Sequence, residues 1–458
     1  MDQLSEQPRT AGKAFEVTHR MVFAIAVPMT LAFLTTPILG LVDTAVVGRL
    51  GAPALIGGLA VAATLFDIIF AAFNFFRSST TGLVAQAIGR DDAVEQQAIF
   101  WRALITSVVL GAVVILISPL LIWGGLIFMN PGEAVSRAAR TYLEIRVFSA
   151  PVALANYVLL GFVLGKGRSG LGLLLQTVIY GTNIVLSVWF GLLLGWGLPG
   201  VAWATVISEV VGCAVGLVIV ISGFDATERP SLARIRDIAS LKRLLSLNTD
   251  IMIRSLGLMF AFLWFTRLGA ALGELQLAAN AILMNIFLVA GYYMDGLATA
   301  AEQIVGRAIG AHYRPAFIRA IKLTTFWSFL LAGLTTLFFL AFGEWVIAML
   351  TTVEEVRRMA DIFLPWAAVT ALTGALAFEM DGVFIGATWS RDMRNMMVLV
   401  LALFIASAHY LGYAYGNHGL WAALNIFLAG RGLFLLAVLP RRTREHFGEG
   451  YASSERPA

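Results

Sequence analysis

Asp43 lies six residues after Pro37, at the end of an apolar run that opens near Met21. A carboxylate in hydrocarbon is costly, so a lone acid there points to an ion or substrate pathway. In a later apolar stretch Gln176, Tyr180, Asn183 and Ser187 recur at steps of four, three and four. That spacing puts them on one helical face. They offer the hydrogen-bond donors an intramembrane acid needs to hold its ionised form, which makes the stripe a natural partner for Asp43. A second stripe runs through Asn280, Met284, Leu288, Tyr292, Asp295, Thr299 and Glu302. One tyrosine ring, a thioether and two acids on one face suit a wet cavity for lipophilic cations. The alternative is a helix interface with satisfied polar groups.

Other charges inside apolar stretches read as structural. Asp250 and Arg254 are one helical turn apart and can neutralise each other. Arg77, one turn after Asn74, can snorkel or tie down a helix end. Glu144 and Arg146 are expected near the outer surface, in reach of water. Glu209 has no basic residue one turn away, so it pairs across helices or carries a proton; Asp381 is grouped with these structural charges. Cys213 is the only cysteine, which excludes an intrachain disulfide framework, and the five histidines are scattered. "GKGRSG" (165 to 170) fits a dinucleotide fingerprint but is a short connection between apolar runs, with no strand before it. "DDAVE" (91 to 95) has no second acidic cluster to complete a magnesium cage, so a solvated loop is expected. No Walker sequence or H-E-x-x-H motif is present. Neither an enzyme nor an ATP-driven pump is expected.

The elements that must position these residues are membrane spans. The 458 residues are 59% apolar and 13% charged, with a mean hydropathy of +0.83, whereas ordinary soluble chains carry about 25% charge. Twelve windows long enough to cross a bilayer are read, at about 21–45, 54–86, 99–125, 141–164, 171–194, 199–222, 248–269, 276–305, 320–348, 359–386, 395–415 and 418–439. The first is expected to be retained, since it is too long for a signal-peptide core. Of the 32 Lys and Arg, 22 lie in the tails and the connections after even-numbered spans, six in the opposite connections and four inside spans. The positive-inside rule therefore predicts both termini in the cytoplasm. The +4 net charge follows from this loop bias and calls for no nucleic-acid partner.

The expected organisation is a cytoplasmic tail (1–20), a six-helix lobe (21–222), a cytoplasmic linker (223–246), a second six-helix lobe (247–440) and a cytoplasmic tail (441–458). "RLGA" occurs at 49–52 and again at 267–270, and "LVAQAIGRDD" (83 to 92) aligns with "IVGRAIGAHY" (304 to 313). An even number of spans per repeat relates the lobes by a pseudo-two-fold axis along the membrane normal, a plan common among secondary transporters.

The segments "VDTAVVGRLG" (42 to 51), "RSSTTGLVAQAIGR" (77 to 90), "GLPGVAWATVISE" (197 to 209), "DGLATAAEQIVGRAIG" (295 to 310) and "DGVFIGATWSRDMRN" (381 to 395) carry a resemblance over about residues 22–440. Taken in order, the chain resembles the MATE (multidrug and toxic compound extrusion) transporters, within them the DinF branch. The resemblance implies an all-α, two-lobed, twelve-helix antiporter of a bacterial inner membrane that exports organic cations or other toxic compounds by alternating access in exchange for H+ or Na+. It implies small-molecule substrates, lipid contacts, a monomer and no cofactor beyond the coupling ion. Asp43 matches the family's first-helix coupling acid and Pro28 its bending proline. Asn183 and Thr205 match polar residues grouped around that acid.

Two positions depart from the pattern. Ser187 stands where many relatives carry a second acid, and Leu39 where several carry a tyrosine. Na+ prefers several hard oxygens, whereas a single desolvated acid suits a proton, so the departures favour proton coupling over sodium. A lipid-precursor flippase, which would want more basic residues in its cavity, and a membrane enzyme or sensor are the alternatives.

Overall fold

A computed structural model describes residues 14–448. Those residues form a helical bundle without strands. In chain order the first ten helices are α1 (His19–Gly48), α2 (Pro53–Gly89), α3 (Ala93–Met129), α4 (Glu133–Gly165), α5 (Ser169–Leu193), α6 (Gly197–Ser222), α7 (Ile238–Ala271), α8 (Glu274–Gly310), α9 (Arg314–Leu350) and α10 (Glu354–Gly386). The helix Ser390–Phe447 is broken at Gly416, whose φ of 57° and ψ of −133° lie outside helical space. Its halves are α11 (390–415) and α12 (417–447). They run antiparallel: Arg442 donates to Asp392 at 2.7 and 3.0 Å, although 50 residues of straight helix would separate them by about 75 Å. Gly419 makes the reversal close enough, because a Cβ there would collide with the Leu411 carbonyl. Twelve crossings result, as the hydropathy windows predict.

Helices are longer than their windows where water-facing turns extend them. The most consequential case is α4, which begins at Glu133 rather than near 141. Its first turns carry the exposed pairs Arg137–Glu133 and Arg140–Glu144, at 3.9 and 2.9 Å, and such turns are invisible to a hydropathy window. Short 3-10 turns interrupt α2 at Ala72–Asn74 and α4 at Val147–Ser149, and α5 ends in a π-helix at Trp189–Leu193. Irregular turns of this kind often mark functional hinges.

One apolar core joins α2 through α6 and the start of α7 with the later end of α1, through Val46 and Val47. A second joins α7 through α12. A third core brings the beginning of α1, at Val22, Ile25 and Ala26, against α8, α9, α10 and α12. The helix that carries Asp43 is thus packed in one half of the molecule at its start and in the other at its end.

Close approach between the halves is concentrated at the end of the bundle that bears the basic connections. There Gln86 Nε2 donates to the Gly386 carbonyl at 2.9 Å and Gln303 Nε2 to the Leu164 carbonyl at 2.5 Å. Gly89 and Gly310 let α2 and α8 touch backbone to backbone, since a Cβ on either would meet main-chain atoms of the other.

The linker is pinned rather than free. Arg234 donates to Asp92 at 2.8 Å and to Glu95 at 3.0 Å, so two of the acids in "DDAVE" hold the linker; Asp92 also caps α3 by accepting from the Glu95 amide. Hydrogen bonds to the Thr227 amide and hydroxyl keep the Asp225 carboxyl below its usual range, though it is fully exposed.

Candidate functional site

Between α1, α2, α4, α5 and α6 lies a cavity of about 470 Å³ in the half of the bundle away from the basic connections. Asp43 reaches it from the last turns of α1 and is only 7% exposed. Ser187 Oγ lies 2.9 Å from Asp43 Oδ1 and 3.1 Å from Asn183 Oδ1. Asn183 Nδ2 donates to Thr205 Oγ1 at 2.9 Å, and Thr205 donates to the Val201 carbonyl at 3.2 Å. All four residues expected around the coupling ion are therefore brought together, and all four are buried.

The chain Asp43–Ser187–Asn183–Thr205 has a property that follows from counting protons. A serine hydroxyl carries one hydrogen, so it cannot donate to Asp43 and Asn183 at once. With Asp43 ionised, one of the two acceptors lacks its bond. A proton on Asp43 removes the conflict: Asp43 donates to Ser187, Ser187 to Asn183, Asn183 to Thr205 and Thr205 to the backbone. Every member is then satisfied, which matters in a buried polar network.

Tyr180 also lines the cavity, its hydroxyl 3.2 Å from Thr36 Oγ1. Asp67, Arg146, Asn156, Tyr157 and Glu209 complete the polar wall, with Phe66 and Phe70 beside them. Arg146 is not at the outer surface: it lies 13 residues, about 20 Å, inside α4. Its guanidinium is 3.9 Å from the centre of the Phe66 ring and donates to the Tyr142 hydroxyl at 2.8 Å. Glu209, set aside as structural, faces the same cavity and accepts from Asn156 Nδ2 at 3.3 Å. Asp67 escaped the reading, although the criterion that singled out Asp43, an acid alone in an apolar run, applies to it equally.

None of the span-eight candidates lines this cavity. Asn280 exchanges hydrogen bonds with Asn417 at 2.8 and 2.9 Å and accepts from Trp421 Nε1 at 2.8 Å, locking α8 to α12. Met284 packs against the second core, and Tyr292 is half-buried. Thr299 bonds back to the Asp295 carbonyl, while the Asp295 side chain is exposed. Glu302 is 3.5 Å from Arg77, which also holds Asn74 at 3.2 Å. The stripe shares a helical face, but its members have different partners along 37 residues of helix.

The structural charges are also partnered otherwise than spacing implies. Asp250 pairs with Arg394 at 2.6 Å and accepts from Ser390 at 2.8 Å, while Arg254 pairs with Asp381. Asp381 is shared with Arg431, at 2.6 Å. A neighbour one turn away loses to partners on other helices when those are better placed. Pro28 and Pro37 both lie within α1, which stays helical through each. Among the described residues, no group of three or more His, Cys, Asp or Glu could hold a metal ion.

The MatE family model matches this chain twice, at residues 28–189 and 251–413, once in each half. The chain is 38% identical over 432 residues to the DNA damage-inducible protein F of Escherichia coli (strain K12), covering 93% of both chains. It is 28% identical to Protein DETOXIFICATION 44, chloroplastic, of Arabidopsis thaliana, covering 90% of this chain and 80% of the relative. Among solved structures, a MATE protein in its bent conformation superposes with a TM-score of 0.85 at 19% identity, over 95% of this chain and 97% of that one. An outward-facing multidrug resistance MATE family transporter superposes at 0.82 with 19% identity, over 92% and 95%.

Proposed function

This chain belongs to the MatE family of transporters, and from that premise we propose that it is an antiporter exporting lipophilic or cationic toxic compounds in exchange for protons, with Asp43 as the coupling carboxyl. The observation that carries the proposal is the buried relay from Asp43 through Ser187 and Asn183 to Thr205, which has one hydrogen too few until Asp43 takes up a proton. The cavity beside it holds three carboxyls, Asp43, Asp67 and Glu209, against one guanidinium, Arg146, with aromatic rings between them. Such a wall favours a cation with apolar surface.

The basic end is taken as cytoplasmic, so the halves are sealed on the inner side and the cavity belongs to an outward-facing state of a bacterial inner-membrane protein. A proton arriving from outside neutralises Asp43 and removes the attraction that retains a substrate cation. Because α1 packs on the second half through Ala26 and on the first through Val46, a change of packing around Asp43 bears on how the halves meet. Coupling then arises because proton and substrate favour different states.

The test is transport in proteoliposomes under separately imposed pH and sodium gradients, comparing the native chain with Asp43→Asn. A pH gradient alone should drive uptake by inside-out protein and the variant should show none. Transport driven by sodium at fixed pH would replace the proton with Na+ in the same site. Normal transport by Asp43→Asn would remove Asp43 from the mechanism.

A further inference from the structure

At the end of the bundle bearing the basic connections, a second cavity of about 530 Å³ opens between the start of α7, the α10–α11 turn and α12. Four cations line it, Lys242, Arg243, Arg391 and Arg442, against two acids, Asp250 and Asp392. Both acids are already neutralised. Asp250 is held by Arg394 at 2.6 Å, and Asp392 by Arg442 at 2.7 and 3.0 Å. Lys242, Arg243 and Arg391 are left facing the cavity without an ion-pair partner among the described residues. The excess is felt nearby: burial, and after it Arg243, lowers the basicity of Arg90 just beyond α2.

We propose that this cavity binds a phosphate-bearing anion through Lys242, Arg243 and Arg391, the phosphate being that of a phospholipid headgroup in the adjoining leaflet or a soluble one. Basic pockets between helix ends at a membrane surface recognise such groups. The cavity adjoins the seal between the halves. Thr388 Oγ1 accepts from Gln86 on α2 at 3.2 Å and from Arg243 at 3.4 Å. An anion bridging Arg243 to Arg391 would brace the turn that receives Gln86 and so favour the sealed arrangement. This inference does not depend on which ion or substrate the first cavity takes.

The test uses the full chain in neutral detergent, titrated with dioctanoyl phosphatidylglycerol, dioctanoyl phosphatidylcholine and inorganic phosphate, with binding followed by calorimetry. Phosphatidylglycerol should bind saturably and phosphatidylcholine much more weakly. The variant Lys242→Gln, Arg243→Gln, Arg391→Gln should bind phosphatidylglycerol roughly a hundredfold more weakly, while elution on size exclusion confirms its fold. The charge-keeping variant Lys242→Arg, Arg243→Lys, Arg391→Lys should retain binding. Competition by millimolar inorganic phosphate would identify a soluble anion as sufficient, and its failure to compete would assign the lipid. A glutamine variant that binds like the native chain overturns the proposal. So does an equal loss in Arg441→Gln, Arg444→Gln, which would show mere surface charge, or equal binding of the two lipids.

Discussion

Asp43 and Asp381 are equally withdrawn from water, each 7% exposed, yet the two halves of the molecule treat them in opposite ways. Asp381 is clamped by two guanidiniums, Arg254 and Arg431. Asp43 accepts one serine hydroxyl and has no ion-pair partner among the described residues. Burial alone therefore says little about a membrane acid's role. A carboxylate with fixed counter-charges is committed to structure, because removing either side leaves a buried charge uncompensated. A carboxylate with none is available to a mobile cation or a proton.

The comparison can be broken most severely at Asp43. Asp43→Asn should reduce gradient-driven efflux to background while leaving membrane insertion and elution on size exclusion unchanged, as read by dye efflux and chromatography. Asp381→Asn should do the reverse in kind: by leaving the buried Arg431 and the half-buried Arg254 short of their anion it should destabilise the fold by about 3–5 kcal/mol, seen as a lower midpoint in thermal unfolding. A variant that is inactive yet fully stable would show that Asp381 also takes part in transport.

Ser187→Ala sharpens the contrast at lower amplitude. Loss of the one hydroxyl on Asp43 should shift the half-saturating concentration of the coupling ion by about tenfold without abolishing transport, measured from rates across a pH series. Ser187→Asp should add sodium-dependent transport by supplying a second hard oxygen ligand. The smallest effect is expected from Asn280→Ala. It breaks the Asn417 and Trp421 bonds and should cost about 1–3 kcal/mol of stability, with transport per folded molecule unchanged. A large transport defect there would return the span-eight stripe to the substrate path.

Particular residues show what could be read from the chain. Asp43, Asn183, Ser187 and Thr205 come together because the regularly spaced stripe on α5 and the lone acid on the proline-bearing α1 leave few other faces for costly polar groups, with Thr205 on α6 closing the set. Arg146 was misplaced because the polar, ion-paired turns before it belong to the same helix. Asp67 and Glu209 line the cavity for a reason no local window contains: their helices are rotated so that lone acids on α2 and α6 face a guanidinium on α4.

Sequence alone determined the quantities that depend on local chemistry: twelve apolar crossings, the charge bias between their ends, the twofold repeat and the face that each polar residue shares. These follow from transfer free energy and helical periodicity, which are properties of short segments. Partnership was decided only by the tertiary structure. Asp250 left Arg254 for Arg394, Arg254 joined Asp381, and Glu302 met Arg77 across 225 residues, because a buried charge is stabilised by whichever counter-charge the packed helices bring within reach. The cavity, too, exists only where five helices fail to fill the space between them, and no segment records that by itself.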